Sequence, residues 1–231
     1  MGQDGPVDVT GLVVLSVRCV GSECEEWEQW SRGPHLDRLA DLRHVGAVSR
    51  ASVVPEPKLA MPGPGFSHIE LIELIDDVDA GATDVRAALV AERAGRDGRS
   101  DHAVVRGEAL VPHGPHTTEV GARASSTGHI LADVLCTDHT LELEWDRWYD
   151  DVHLPDMLAT GAFAGGSRWR RRLRPQWGAA HVTLYDIGLP DVTDAVDRSA
   201  AAMPDLVAAG RKHPCHCGGP TVLVERTSGP G

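Results

Sequence analysis

Two stretches of the chain set aromatic and apolar residues at helical spacing and then meet a histidine beside a proline. In the later stretch, Glu144 to Leu158, the side chains of Trp145, Trp148, Tyr149 and Val152 fall on one helical face, with His153 at its edge. Leu154 precedes Pro155, a position biased away from the α region, so the helix is expected to stop at His153. The earlier stretch repeats the pattern. Trp27, Trp30, His35 and Leu36 each lie 118 residues before Trp145, Trp148, His153 and Leu154, and the register persists to Ser49-Arg50 against Ser167-Arg168. Tryptophan and histidine are rare, so a shared register of this kind reads as an internal duplication.

The remaining pattern fits two copies of one unit. In the first, Leu12–Val17 is a β-rich run, and Ser22 with Glu25 forms a capping box that starts a helix ending near Gly33-Pro34. Val45–Val54 is a second strand, Pro55–Gly65 a proline loop, and His68–Ile75 a strand alternating charged and apolar positions. A helix over Asp84–Arg93 and a strand over His102–Val111 complete a βαββαβ order. Pro112–Gly128 is polar, has no periodicity and reads as a linker. The order then recurs: strand His129–Cys136, helix Leu141–His153, strands Gly165–Leu173 and His181–Ile187, helix Asp191–Ala209, broken or kinked at Pro204, and strand Thr221–Glu225. The expected organisation is a first repeat over 10–111, a linker over 112–128 and a second repeat over 129–227. Each repeat would be a ferredoxin-like α+β half with both helices on one sheet face, leaving the other face for its twin.

Composition narrows the function. The 231 residues carry a formal net charge of −12, which argues against nucleic acid and against anionic membrane surfaces as partners. No apolar run reaches the ~20 residues of a spanning helix. The start shows neither a signal peptide nor a lipidation site, and the five cysteines form no framework, so a reducing cytoplasm is expected. The share of hydrophobic residues, 42%, suffices for a packed core.

The motif Glu144-Trp145-x2-Trp148-Tyr149-x3-His153-Leu154-Pro155, followed by Gly165-x-Ser167-Arg168-Trp169-Arg170, resembles the dimeric α+β barrel superfamily, and within it the EthD-like proteins. The resemblance covers about 30 residues directly. It implies two ferredoxin-like βαββαβ repeats closing an intramolecular dimeric α+β barrel. The superfamily includes cofactor-independent monooxygenases, lactone isomerases, polyketide decarboxylases and cyclases, and haem enzymes. In EthD-like proteins the histidine of the corner faces the ligand cleft, and His153 is the matching position here.

His153 is therefore the leading catalytic candidate, as a general acid or base. The competing reading is a helix-terminating histidine that bonds backbone carbonyls. Tyr149, one turn earlier, could orient the imidazole or bind a carbonyl, or could be a core aromatic. Asp151 could fix the tautomer, although charge pairs on helices are usually solvated. Arg168 could clamp a carboxylate or enolate. Trp145, Trp148, Trp169, His181, His35 and His68 are candidates to line the pocket. The first half has Ser31 where the second has Tyr149, and Arg32-Gly33 where it has Asp150-Asp151, so the second half is read as the active one.

His213-Pro214-Cys215-His216-Cys217 is the one metal-like run, but its C-x-C spacing is cramped for a single ion, and no metal is expected. The leading expectation is a cofactor-free lyase, cyclase or isomerase of secondary metabolism. It would act on an aromatic or polyketide-like carbonyl compound in a Trp-lined pocket, as a monomer or homodimer. A haem enzyme and a non-catalytic small-molecule binder are the alternatives.

Overall fold

The computed structural model describes residues 7–19, 24–59, 65–95, 102–115, 121–173 and 179–227, with residues 19, 24, 26, 27, 93, 95 and 102–105 described in their backbone alone. Its order is β1 (Gly11–Cys19), α1 (Cys24–Trp30), a π turn (Ser31–His35), α2 (Leu36–Ala40), β2 (Val45–Val54), β3 (His68–Leu74), α3 (Val78–Gly95) and β4 (His102–Pro112). It continues with β5 (Gly128–Cys136), α4 (Glu142–Trp148), a second π turn (Tyr149–His153), α5 (Leu154–Ala159), β6 (Gly165–Arg171), β7 (His181–Ile187), α6 (Val192–Ala208) and β8 (His216–Arg226). All strand pairs are antiparallel, and the eight strands close in the order β1-β3-β2-β8-β5-β7-β6-β4. Two ferredoxin-like βαββαβ repeats thus form one barrel, as the sequence pattern predicts. The sheets meet at two short seams. Ala51–Val54 pairs with Leu223–Arg226, and Leu110–Pro112 pairs with Trp169–Arg171.

Period-two alternation sorts the apolar residues into three layers. Leu12, Val14, Ile69, Leu71, Leu131, Trp169, Val182, Leu184 and Val224 fill the barrel interior. Their neighbours Val13, Leu15 and Ile72 join Leu39 and Val85 under the first half's helices. In the second half Trp145, Tyr149, Leu154, Tyr185, Ile187 and Leu223 form the corresponding layer. No helix of the described residues is long and apolar enough to cross a membrane.

Several expectations are corrected. The second half's helix does not stop at His153, nor does the first half's end at Gly33-Pro34. Leu154 is helical at φ −63°, ψ −46°, and its N–H bonds the carbonyl of Tyr149, five residues back. That wider turn takes the place of the α ladder where the missing N–H of Pro155 would break it. Pro155 then sits in the first turn of α5, a position that tolerates proline. The first half does the same, with Pro34 inside its π turn and α2 continuing to Ala40. The two π turns lie at the same 118-residue offset as the Trp and His positions.

Pro204 does not break α6, which runs unbroken over Val192–Ala208. The carbonyl that loses its donor there belongs to exposed Ala200, where water can replace the bond. α3 starts at Val78, before the expected Asp84, because the Asp77 carboxylate accepts from the N–H groups of Asp79 and Ala80. β8 starts at His216 rather than Thr221: Gly218-Gly219-Pro220 is a bulged part of the strand, not a turn. The expected linker contains buried Arg123, whose guanidinium bonds Glu73 at 2.7 Å and Ser167 at 2.9 Å inside the barrel.

Candidate functional site

The second half's helix–sheet layer holds the sequence's leading candidates. The π turn carries Tyr149 and His153 on the face turned to β7, whose alternate residues His181, Thr183 and Tyr185 look back at them. Tyr149 is fully buried, and its hydroxyl lies 2.7 Å from Thr183 Oγ1 and 3.3 Å from the Tyr185 hydroxyl. Tyr185 in turn reaches His153 Nε2 at 3.5 Å. The result is a chain of hydroxyls ending on an imidazole. Gly166 allows this approach: a Cβ there would meet Leu154 Cδ1 at 2.8 Å.

His153 is hemmed by rings. It stacks on Trp148 at 5.0 Å, meets the edge of Tyr149 at 4.6 Å and lies 5.1 Å from His216. Burial, then repulsion from His216 and Arg168, pushes its pKa down to about 3, and the imidazole is neutral near pH 7. Burial raises both tyrosine phenols. A base so reluctant to hold a proton is far from the range suited to acid–base exchange at neutral pH.

Arg168 is 1% exposed, and both terminal nitrogens of its guanidinium are engaged, while Nε has no partner among the described residues. It donates to Asp146 Oδ1 at 2.6 Å and to Asp150 Oδ1 at 2.7 Å, and it stacks over the Tyr149 ring at 4.5 Å. In this state it anchors α4 to the sheet and is not free to clamp a substrate. Asp150, rather than exposed Asp151, is the carboxylate engaged there. Trp145 donates to His216 Nδ1 at 3.3 Å, and Trp148 donates to the Arg211 carbonyl at 2.9 Å.

The other candidates lie apart from His153. Trp169 follows Arg168 on β6 and so faces the barrel interior, where it donates to Ser167 at 2.8 Å. His181 packs against the edge of Trp145 at 5.2 Å. His68 opens β3 beside Ser67, and burial pushes its pKa down to about 4. His35 sits between Glu92 at 2.8 Å and Glu70 at 3.0 Å. Burial alone would lower its pKa, but the hydrogen bonds and charges of Glu70 and Glu92 outweigh it and push it up to about 9. In the metal-like run, Cys217 is exposed, while Cys215 turns inward to Cys136, 2.7 Å away, and to His213 Nδ1 at 3.0 Å.

A cavity of about 240 Å³ lies on the other side of the sheet, inside one end of the barrel. Val14, Ile69, Leu131 and Val182 wall it, and Arg106, Glu108, Asp133 and Arg171 converge on it. Arg171 is buried, donating to Glu108 at 2.6 Å, to Asp133 at 2.5 Å and to the Ala179 carbonyl at 2.5 Å. Burial raises the Asp133 carboxyl even beside this arginine. Among the arginines of β6 the sequence reading singles out Arg168 alone, and it is Arg171 that reaches this cavity. The alternation Trp169, Arg171 on β6 is the signal that turns it inward.

No protein-family model matches the chain, and no curated protein matches it. Solved structures do. A haem-binding protein from Thermus thermophilus superposes with a TM-score of 0.55 at 10% identity, over 97% of this chain and 93% of that one. A single-residue variant of chlorite dismutase from Candidatus Nitrospira defluvii does so with a TM-score of 0.60 at 10% identity, over 96% and 92%. At such identities the likeness is one of fold: this chain has the architecture of the dimeric α+β barrel proteins.

Proposed function

We propose that this chain binds a small, mainly apolar molecule bearing one uncharged polar group, in the cavity at the end of the barrel. The observation that carries this is a 240 Å³ apolar space on which two arginines and two carboxylates converge. Drug-sized ligands fill ~300–1,000 Å³, so the occupant is smaller, on the scale of a single substituted aromatic ring. The charges balance in pairs, Arg106 with Glu108 and Arg171 with Asp133, which favours a hydroxyl or carbonyl over a charged head. Titration with indole and with p-cresol, followed by methyl NMR, tests this. Shifts at Leu131 and Val182 that vanish in Thr221→Trp, at the cavity wall, are expected; unshifted methyls for both probes defeat the reading.

A catalytic reading at His153 has one observation in its favour, the hydroxyl chain through Tyr185 and Tyr149 to Thr183. In it, proton transfer on an aromatic or polyketide-like carbonyl compound would begin when substrate displaces Trp148 and re-solvates the imidazole. Turnover unchanged in His153→Ala, once a substrate is found, removes His153 from the chemistry.

Haem has the superposed haem-binding protein in its favour. The residues present do not fit it. Nε2 of His153 is approached by the Tyr185 hydroxyl, and Trp148, Tyr149 and His216 close the ring's surroundings, where a macrocycle would need open space. His35 is saturated by two carboxylates. Added haemin is expected to give no new Soret band; a band lost in His153→Ala reverses this. The matched π turns support descent of both halves from one copied EthD-like unit.

A further inference from the structure

A third cluster belongs neither to the barrel cavity nor to the His153 surroundings. It sits where β4 ends, β7 begins and α4 starts. His113 follows β4, and its N–H donates to the Arg168 carbonyl, tying it to β6. His181 opens β7. Glu142 and Asp146 are four residues apart on α4 and so share a face. One donor atom from each of His113, Asp146 and His181 lies within 4.8 Å of the others.

Two observations point to a ligand there. The first is His181 itself. It is 5% exposed, yet Nδ1 has no hydrogen-bond partner among the described residues, and Nε2 has only Glu142 Oε1 at 3.5 Å. A buried imidazole with neither nitrogen bonded costs free energy that a coordinate bond would recover. The second is charge. Asp146, Asp150 and Glu142 gather around Arg168 and the two imidazoles, three carboxylates against one guanidinium, which leaves two negative charges in excess.

We infer that His113, Asp146 and His181 form a binding site for a divalent transition-metal ion of the zinc type. Glu142 supplies the fourth position, or shares it with water. Imidazole and carboxylate in this ratio suit zinc, and ligands at ~2.0–2.1 Å from the ion stand about 3.4 Å apart in a tetrahedron. Closing from 4.8 Å therefore takes side-chain shifts of about 1 Å, which partly exposed His113 and Glu142 can make. Arg168 holds Asp146 through Oδ1, as does His113 Nε2 at 2.9 Å. Binding then requires the His113 ring to exchange that contact for the ion, with Arg168 remaining as the outer partner that orients the carboxylate.

The test is equilibrium dialysis of the full chain, stripped with chelator, against Zn²⁺ alone and Co²⁺ alone. One ion per chain is expected, with the visible absorption of four-coordinate Co²⁺ and no thiolate charge-transfer band. His181→Ala and His113→Ala should each weaken binding by at least about 100-fold. His113 is partly exposed, so its variant keeps the test valid if His181→Ala fails to fold. No stoichiometric binding, a thiolate band, or unchanged affinity in His113→Ala overturns the assignment.

Discussion

His35 and His153 close equivalent π turns 118 residues apart, yet one is an imidazolium and the other a neutral imidazole. The difference lies in what faces them. Glu70 of β3 and Glu92 of α3 take both nitrogens of His35, whereas His153 meets rings and a phenol. The same backbone device therefore serves a buried ion triad in one half and an aromatic cluster in the other.

The triad makes stability pH-dependent on the alkaline side. The folded pKa of His35 is raised from 6.5 to about 9, so its contribution is complete below pH 6.5 and is lost as pH rises through 9. That rise corresponds to about 3 kcal/mol as an order of magnitude. Urea midpoints of the native chain should fall between pH 6 and 9.5. His35→Gln should be less stable by about 3 kcal/mol at pH 6, because two buried carboxylates lose their cation, and should lack that fall. Parallel curves for the two proteins would show that no such triad exists.

His153 acts in the opposite sense. Its folded pKa, about 3, lies below the unfolded 6.5, so the unfolded chain takes up the proton first. The contribution is complete above pH 6.5 and declines as pH falls towards 3. The carbon-bound proton resonances of the His153 ring should hold their neutral positions from pH 7.5 to 5. A mid-point near 6.5 would mean that the ring stands in water.

Tyr149→Phe removes the hydroxyl between Thr183 and Tyr185 and leaves the ring. The expected loss is about 1–2 kcal/mol, the cost of stranding buried Thr183. Thr183→Val in the same background should add little, since the pair is then apolar together. A full second penalty in the double variant would show that the two hydroxyls act separately.

The cysteines should react in a fixed order. Cys217 is exposed, whereas burial and the neighbouring Cys215 push the Cys136 thiol up to about 11. Among the described cysteines, a thiol reagent at pH 8 should label Cys217 first and reach Cys136 only on unfolding. Mass mapping of the labelled peptides reads this directly, and early labelling of Cys136 would contradict its burial.

Much of the architecture was legible because it depends on local periodicity. Trp145, Trp148 and Tyr149 announce their helix, and the shared register announces that the same order of elements recurs. The proline rule misplaced the helix ends because it assumes an α ladder, and a π turn evades that assumption. Glu92 lies 57 residues from His35, and no spacing along the chain joins them. Thr183 and Tyr185 could have been named from His181 by period two alone. Arg171 stands between Arg170 and Arg172 in an unbroken arginine run, and only strand parity tells it from them.

The seams carry one more consequence. Ala51–Val54 and Leu110–Pro112 join one sheet to the other through the backbone, each extended by a residue or two where Arg50 accepts from Thr227, Ala109 accepts from Arg172 and His113 donates to Arg168. Parting them would expose Leu12, Leu71, Leu184 and Val224 to solvent while each sheet kept its own helices. Two opened chains could then re-close on each other, so exchange of halves between molecules is the assembly route this geometry leaves cheapest.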